Sequence, residues 1–223
     1  MTTIDLKHYQ RAVISLSMIL APLAMLIGWG FLYQKRVDPA PHMEAIANNV
    51  EAWLYSHLFF ILAIALYIPV IAGLYHLLRY KRTAYTDMGV SLTFLGILAN
   101  SGQFALDLIQ IPMAMSPERD LVNTVLEQAS GLPLIQTPFF TLSIGFFIGV
   151  LYFALAIGFF VGLAMLLVEL LIYRLAPRWM SATAIIGVLL TIFGEVTEWM
   201  PLLAWGMIWV GMASIGNLLR QNT

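Results

Sequence analysis

Asn100, Gln103, Asp107 and Gln110 all fall within one apolar run, ANSGQFALDLIQIP, from Ala99 to Pro112. On a helix of 3.6 residues per turn, spacings of three and four place them on one face. The stripe extends back through Gly96, Thr93 and Gly89, grading from small residues to hydrogen-bonding ones. His57, in WLYSHLFF, and Glu195 and Glu198, in GEVTEWMP, add an imidazole and two carboxylates near the ends of other apolar runs. Three chemistries are open to such a set. Carboxylates and an imidazole can share a proton, with acids made harder to ionise by desolvation. Oxygen and nitrogen donors can hold a cation. The same groups can bind the polar head of a lipid, quinone or isoprenoid whose tail lies in the membrane. A plain structural reading competes at every position: Asp107 bonded only to a neighbouring Gln or Tyr, His57 at an interfacial helix start, Glu198 in a turn.

The elements that must position these groups are set by composition. The 223 residues are 61% hydrophobic and 10% charged, against about 25% charged in soluble domains. A chain this apolar has too little polar surface to face water, so its solvent is lipid. Net charge is −1 and cysteine is absent, which leaves no basic excess for nucleic acid and excludes disulfides, thiolate metal sites and a cysteine nucleophile. No P-loop, HExxH, GxSxG or dinucleotide fingerprint is present, and no lysine lies within an apolar span.

A bilayer crossing takes roughly 20 residues. Runs of that length or longer occupy about 12–32, 56–78, 88–115 and 141–173. The block from Ser181 to Leu219 is too long for one crossing and is interrupted by GEVTEWMP, where Pro201 suits the first turn of a new helix. Two short spans, about 181–196 and 200–219, follow. The expected fold is therefore all-α: one polytopic transmembrane bundle over 1–223 with six spans, five crossings with a broken last helix being the alternative. Amphipathic outer segments are expected at about 41–55 and 117–130, the second from the SPERDLVNTVLEQASG pattern.

With the N-terminus in the cytoplasm, Lys7, Arg11, Arg79, Lys81, Arg82, Arg174 and Arg178 are inside, and Lys35, Arg36 and Arg119 outside. That asymmetry obeys the positive-inside rule. Asp107 then lies about 27 Å along its helix, in the outer leaflet, at a depth shared by His57, Glu195 and Glu198. Equal depth does not establish that they meet.

Span four holds two GxxxG pairs, Gly145–Gly149 and Gly158–Gly162, on roughly opposite faces; close helix packing is the simplest use for both, one within the fold and one against a partner. Glu169 has Arg174 or a cation such as Arg79 as candidate partners, the competing reading being that these basic side chains snorkel towards the headgroups. His57 and His76 lack the second axial ligands that haem needs.

The runs AWLYSHLFFILAIALYIPVIAGLY, DMGVSLTFLGILANSG and YRLAPRWMSATAIIGVLLTIFGE resemble small multi-pass bacterial membrane proteins of unknown function. The resemblance implies a polytopic fold in a bacterial inner membrane and assigns no catalytic residue. The favoured function is a non-catalytic accessory or structural subunit of a larger membrane complex, with the bilayer and other membrane subunits as partners. The alternative is a lipid-, quinone- or cation-binding protein or transporter built on a polar pocket around Asp107. A third reading is an intramembrane enzyme acting on a lipid or isoprenoid. No cofactor or metal is expected beyond a bound lipid or quinone.

Overall fold

The computed structural model describes residues 8–36, 42–118, 133–137, 140–193 and 199–221. Seven helices and one short hairpin are seen there: α1 (His8–Arg36), α2 (His42–Asn48), α3 (Val50–Leu78), α4 (Ala84–Ala114), β1 (Pro133–Thr137), β2 (Phe140–Ser143), α5 (Ile144–Ile172), α6 (Arg178–Phe193) and α7 (Met200–Gln221). The fold is helical. Among the described residues, four helices are long and apolar enough to cross a membrane: Tyr9–Phe31, Val50–Leu78, Ala84–Ala114 and Met200–Gln221. Ile157–Ile172 and Arg178–Ile192 are shorter apolar helices.

The six long helices form a closed ring in chain order. α1 packs on α3, α3 on α4, α4 on α5, α5 on α6 and α6 on α7, and α7 returns to α1; α3 and α5 also touch across the middle. Neighbours run antiparallel. The first half of α1 meets the end of α3, where Gly73 faces Ile14 and Met18, and its second half meets the start of α3, where Gly28 faces Phe60. The same alternation holds for α6 and α7: Gly187 faces Ala204 and Ile208, and Gly211 faces Met180 and Ala184. The block from Ser181 to Leu219 is thus two helices folded back on each other, with Pro201 in the first turn of the second.

Small residues set how closely the helices approach. A Cβ on Gly96 would run into the backbone of Phe159, and one on Gly162 into Thr93 and the carbonyl of Gly89. The stripe Gly89–Thr93–Gly96 on α4 therefore lies against Gly158–Gly162 on α5. Gly216 of α7 sits on α1, where the Ser15 hydroxyl donates to its carbonyl at 2.8 Å. The core between these contacts is apolar, with Met18, Tyr67, Leu74, Leu163, Leu166, Leu167, Trp205 and Ile208 fully buried.

Each end of the bundle has its own closure. At one end α4 begins with a capping box. Thr83 accepts from the Tyr85 and Thr86 amides at 3.1 and 3.4 Å, and the Thr86 hydroxyl accepts from the Thr83 amide at 3.1 Å. This arrangement satisfies donors that every helix start leaves open. Beside it Arg82 donates to Asp87 at 2.7 Å, which holds the guanidinium above its ordinary range. At the other end α2 folds onto α4: Met43 and Ile46 are buried with Trp53 and Ala114 in a small satellite core.

Two boundaries differ from the sequence expectation. The surface segment expected at 41–55 is only α2, since the chain from Val50 onward is already the first turn of α3. The span expected from residue 141 begins at Ile144, because Phe140–Ser143 pairs with Pro133–Thr137 as an antiparallel hairpin. Phe140, Thr141 and Leu142 favour extended backbone, and Pro138 biases Thr137 the same way. The helix expected at 117–130 lies outside the described residues apart from its first positions.

Candidate functional site

Trp53, Ser56 and His57 stand at positions i, i+3 and i+4 of α3, so they share one face. That face meets the last two turns of α4, where Phe104, Asp107 and Gln110 share another. The Trp53 indole N–H donates to the main-chain oxygen of Asp107 at 2.8 Å, locking the register of the two helices. His57 is buried, with Nε2 3.3 Å from Asp107 Oδ2. Its Nδ1 lies 2.7 Å from the main-chain oxygen of Trp53 and 3.1 Å from the Ser56 hydroxyl. Gln110 Nε2 donates to Asp107 Oδ1 at 3.0 Å.

A carbonyl oxygen only accepts, so the Nδ1 contact with Trp53 is a hydrogen bond when the ring nitrogen is the donor. The remaining nitrogen, Nε2, then faces a carboxylate oxygen, and the two form a hydrogen bond when one of them carries a proton. The separation is at the long end for a hydrogen bond.

Aromatic rings wall the imidazole. Trp53 lies 4.3 Å from it, centroid to centroid, and Phe60 and Phe104 present edges at 5.6 and 6.1 Å. The Asp107 side chain keeps 16% of its surface exposed against 3% for His57, so access to the pair is from the carboxylate side.

The other expected members of the pocket divide. Asn100 is closed on its own helix, its amide donating to the Gly96 carbonyl at 2.7 Å. Gln103, half-buried one turn before Asp107, has no hydrogen-bond partner among the described residues. Glu195 and Glu198 lie outside the described residues. Gly158 and Gly162 pack against α4 of the same chain; the packing around Gly145 and Gly149 is outside what the structure describes. No cluster of three His, Cys, Asp or Glu residues able to hold a metal occurs among the described residues.

Two participants are absent from the residues that the sequence singles out. Trp53, four positions before His57, lies on the same face of α3. Phe104 packs 4.9 Å from Phe60. Glu169, near the opposite end, takes neither Arg174 nor Arg79 as a partner. It accepts from the Thr83 hydroxyl and, at 2.5 Å, from the Thr86 hydroxyl, at the positive end of α4.

Comparison with protein-family models, with curated proteins and with solved structures finds no match for this chain. The reading of its function rests on the geometry of the site itself.

Proposed function

We propose that this chain is a six-span integral membrane protein, N-terminus in the cytoplasm, that binds the polar head of a membrane-dissolved ligand at His57 and Asp107. The observation that carries the reading is the His57–Asp107 contact, a buried imidazole Nε2 3.3 Å from a partly exposed carboxylate, with Nδ1 turned to the Trp53 main-chain oxygen. Ionisable groups inside a span are expensive and default to function. The Gln103 amide, one turn away and without a hydrogen-bond partner among the described residues, supports it, since an open amide in lipid is costly and suits a ligand that bonds to it.

The hydrogen-bond pattern chooses among ligands. A carboxylate that already faces Gln110 and His57 offers little to a cation. The site suits an oxygen acceptor, such as the carbonyl of a quinone or a lipid ester, which can take a hydrogen bond from Gln103. The antiparallel ring and the basic residues at one set of turns support six crossings in a bacterial inner membrane. Gly158 and Gly162 pack inside the fold, which agrees with one GxxxG pair serving the fold and the other, Gly145–Gly149, serving a partner. Ligand binding stands ahead of the accessory-subunit reading on the His57–Asp107 contact alone.

The test is gentle purification followed by mass spectrometry of co-purifying small molecules, on wild type and Asp107→Asn. A quinone or lipid retained by wild type and lost from the variant supports the proposal. Equal retention by both makes His57–Asp107 a polar seam between helices.

A further inference from the structure

At the end of the bundle opposite the His57–Asp107 pair, the turn from α5 to α6 encloses an open cleft of about 540 Å³ lined by residues 174–178. The turn closes in the Schellman manner, with the Leu175 amide donating to the Leu170 carbonyl at 3.1 Å. The residue in the left-handed position is Arg174, at φ 54°. Glycine is the usual occupant of that position.

Two guanidiniums, Arg174 and Arg178, border the cleft, and both are exposed. Neither has a hydrogen-bond or ion-pair partner among the described residues. Arg178 also begins α6, whose first amides add partial positive charge on the same side. Next to the cleft in the chain are two exposed apolar residues, Ile172 of α5 at 65% and Trp179 of α6 at 54%. Exposed guanidiniums and exposed hydrocarbon thus adjoin one another at this turn.

We infer that this cleft is a binding site for an anionic phospholipid, its phosphate held by Arg174 and Arg178 and its first acyl segments lying on Ile172 and Trp179. Arginine binds phosphate through paired N–H donors, and basic pockets between spans on the cytoplasmic side suit anionic headgroups. A free phosphate would use the arginines alone and leave Ile172 and Trp179 without a role, which favours the lipid. The inference rests on the membrane placement of the bundle and is independent of the His57–Asp107 pair.

Native mass spectrometry of the full chain in detergent tests it, with phosphatidylglycerol, phosphatidylcholine of the same chains and inorganic phosphate as probes. Wild type is expected to bind phosphatidylglycerol about thirtyfold more tightly than phosphatidylcholine, as about 1 kcal/mol for each of the two arginines implies. Arg174→Gln with Arg178→Gln should abolish the preference, and Lys81→Gln, a basic residue in another turn, should leave it intact. Arg174→Gly separates binding from folding: it relieves the left-handed backbone, so the melting temperature should rise while phosphatidylglycerol binding falls several-fold. Equal binding of the two lipids, an equal loss in Lys81→Gln, or displacement of the lipid by millimolar phosphate would each overturn the assignment. So would an Arg174→Gly protein that is more stable and binds phosphatidylglycerol undiminished.

Discussion

His57 and Asp107 are fifty positions apart on different helices, yet Nε2 of one stands 3.3 Å from Oδ2 of the other. Nothing local forces this. It follows from α3 and α4 packing antiparallel with the Trp53 indole fixing their register. Each partner also has a second bond that leaves it only one way to face the other.

A double-mutant cycle measures whether the contact is energetic. His57→Ala leaves a carboxyl group half-buried without its imidazole, and Asp107→Ala leaves Nε2 buried without its partner. Groups in direct contact couple by about 0.5–3 kcal/mol, and the partial burial of Asp107 places this pair at about 1–2 kcal/mol. Unfolding of the single and double variants in mixed micelles gives the number. A coupling below about 0.5 kcal/mol would mean that the two side chains are neighbours without being partners.

Trp53→Phe should keep most of the apolar contact and lose one hydrogen bond, that to the Asp107 carbonyl. The expected cost is about 1 kcal/mol. Because Trp53 is also the floor under Met43 and Ile46, hydrogen exchange across α2 should quicken in the variant. Unchanged protection in α2 would show that the helix is held by other contacts.

Periodicity made the bundle legible, and it made part of the site legible too. The stripe from Gly89 to Gln110 is a statement about one helix, and spacing alone places it on one face. What spacing cannot supply is the partner across the interface. Glu169 shows this: by charge it should seek Arg174 or Arg79, and it is met instead by two uncharged threonine hydroxyls at a helix start. Such a carboxylate needs donors and positive potential, and a capped helix N-terminus provides both without a cation. Gly211 and Gly216 were obscured in the same way. They look irregular along α7 because they serve two different neighbours, α6 and α1, so no single period describes them.

The glycines of α4 should respond to substitution in opposite senses. At Gly96 an added methyl meets the main chain of Phe159, which cannot move aside. Gly96→Ala should therefore cost about 1–3 kcal/mol, as overpacking does. Gly102 has open space around the same position, so Gly102→Ala should be neutral or stabilise by up to about 1 kcal/mol through helix propensity. Thermal midpoints in one detergent decide the matter; equal effects at both sites would contradict the close approach of α4 and α5.

Tyr67 is fully buried, its ring edge-on to Phe159 at 4.9 Å, and its hydroxyl has no hydrogen-bond partner among the described residues. A buried polar group without a partner costs free energy. Tyr67→Phe is expected to leave stability unchanged or to raise it by about 1 kcal/mol. A loss above about 1 kcal/mol in the same unfolding assay would show that the hydroxyl is bonded after all.

Thr86→Val tests the reception of Glu169 at the start of α4. The substitution keeps the volume and β-branching and removes a hydroxyl that serves two bonds, one donated to the carboxylate and one accepted from the Thr83 amide. A hydrogen bond to a charged group is worth about 1.5–3 kcal/mol, and a helix cap typically about 1 kcal/mol. The cost should therefore reach about 2–4 kcal/mol when Glu169 is present. With Glu169→Ala as the background, only the cap is at stake, and Thr86→Val should cost about 1 kcal/mol. The difference between the two backgrounds isolates the carboxylate's share. Equal costs in both would mean that Glu169 draws its stabilisation from somewhere other than the α4 N-terminus.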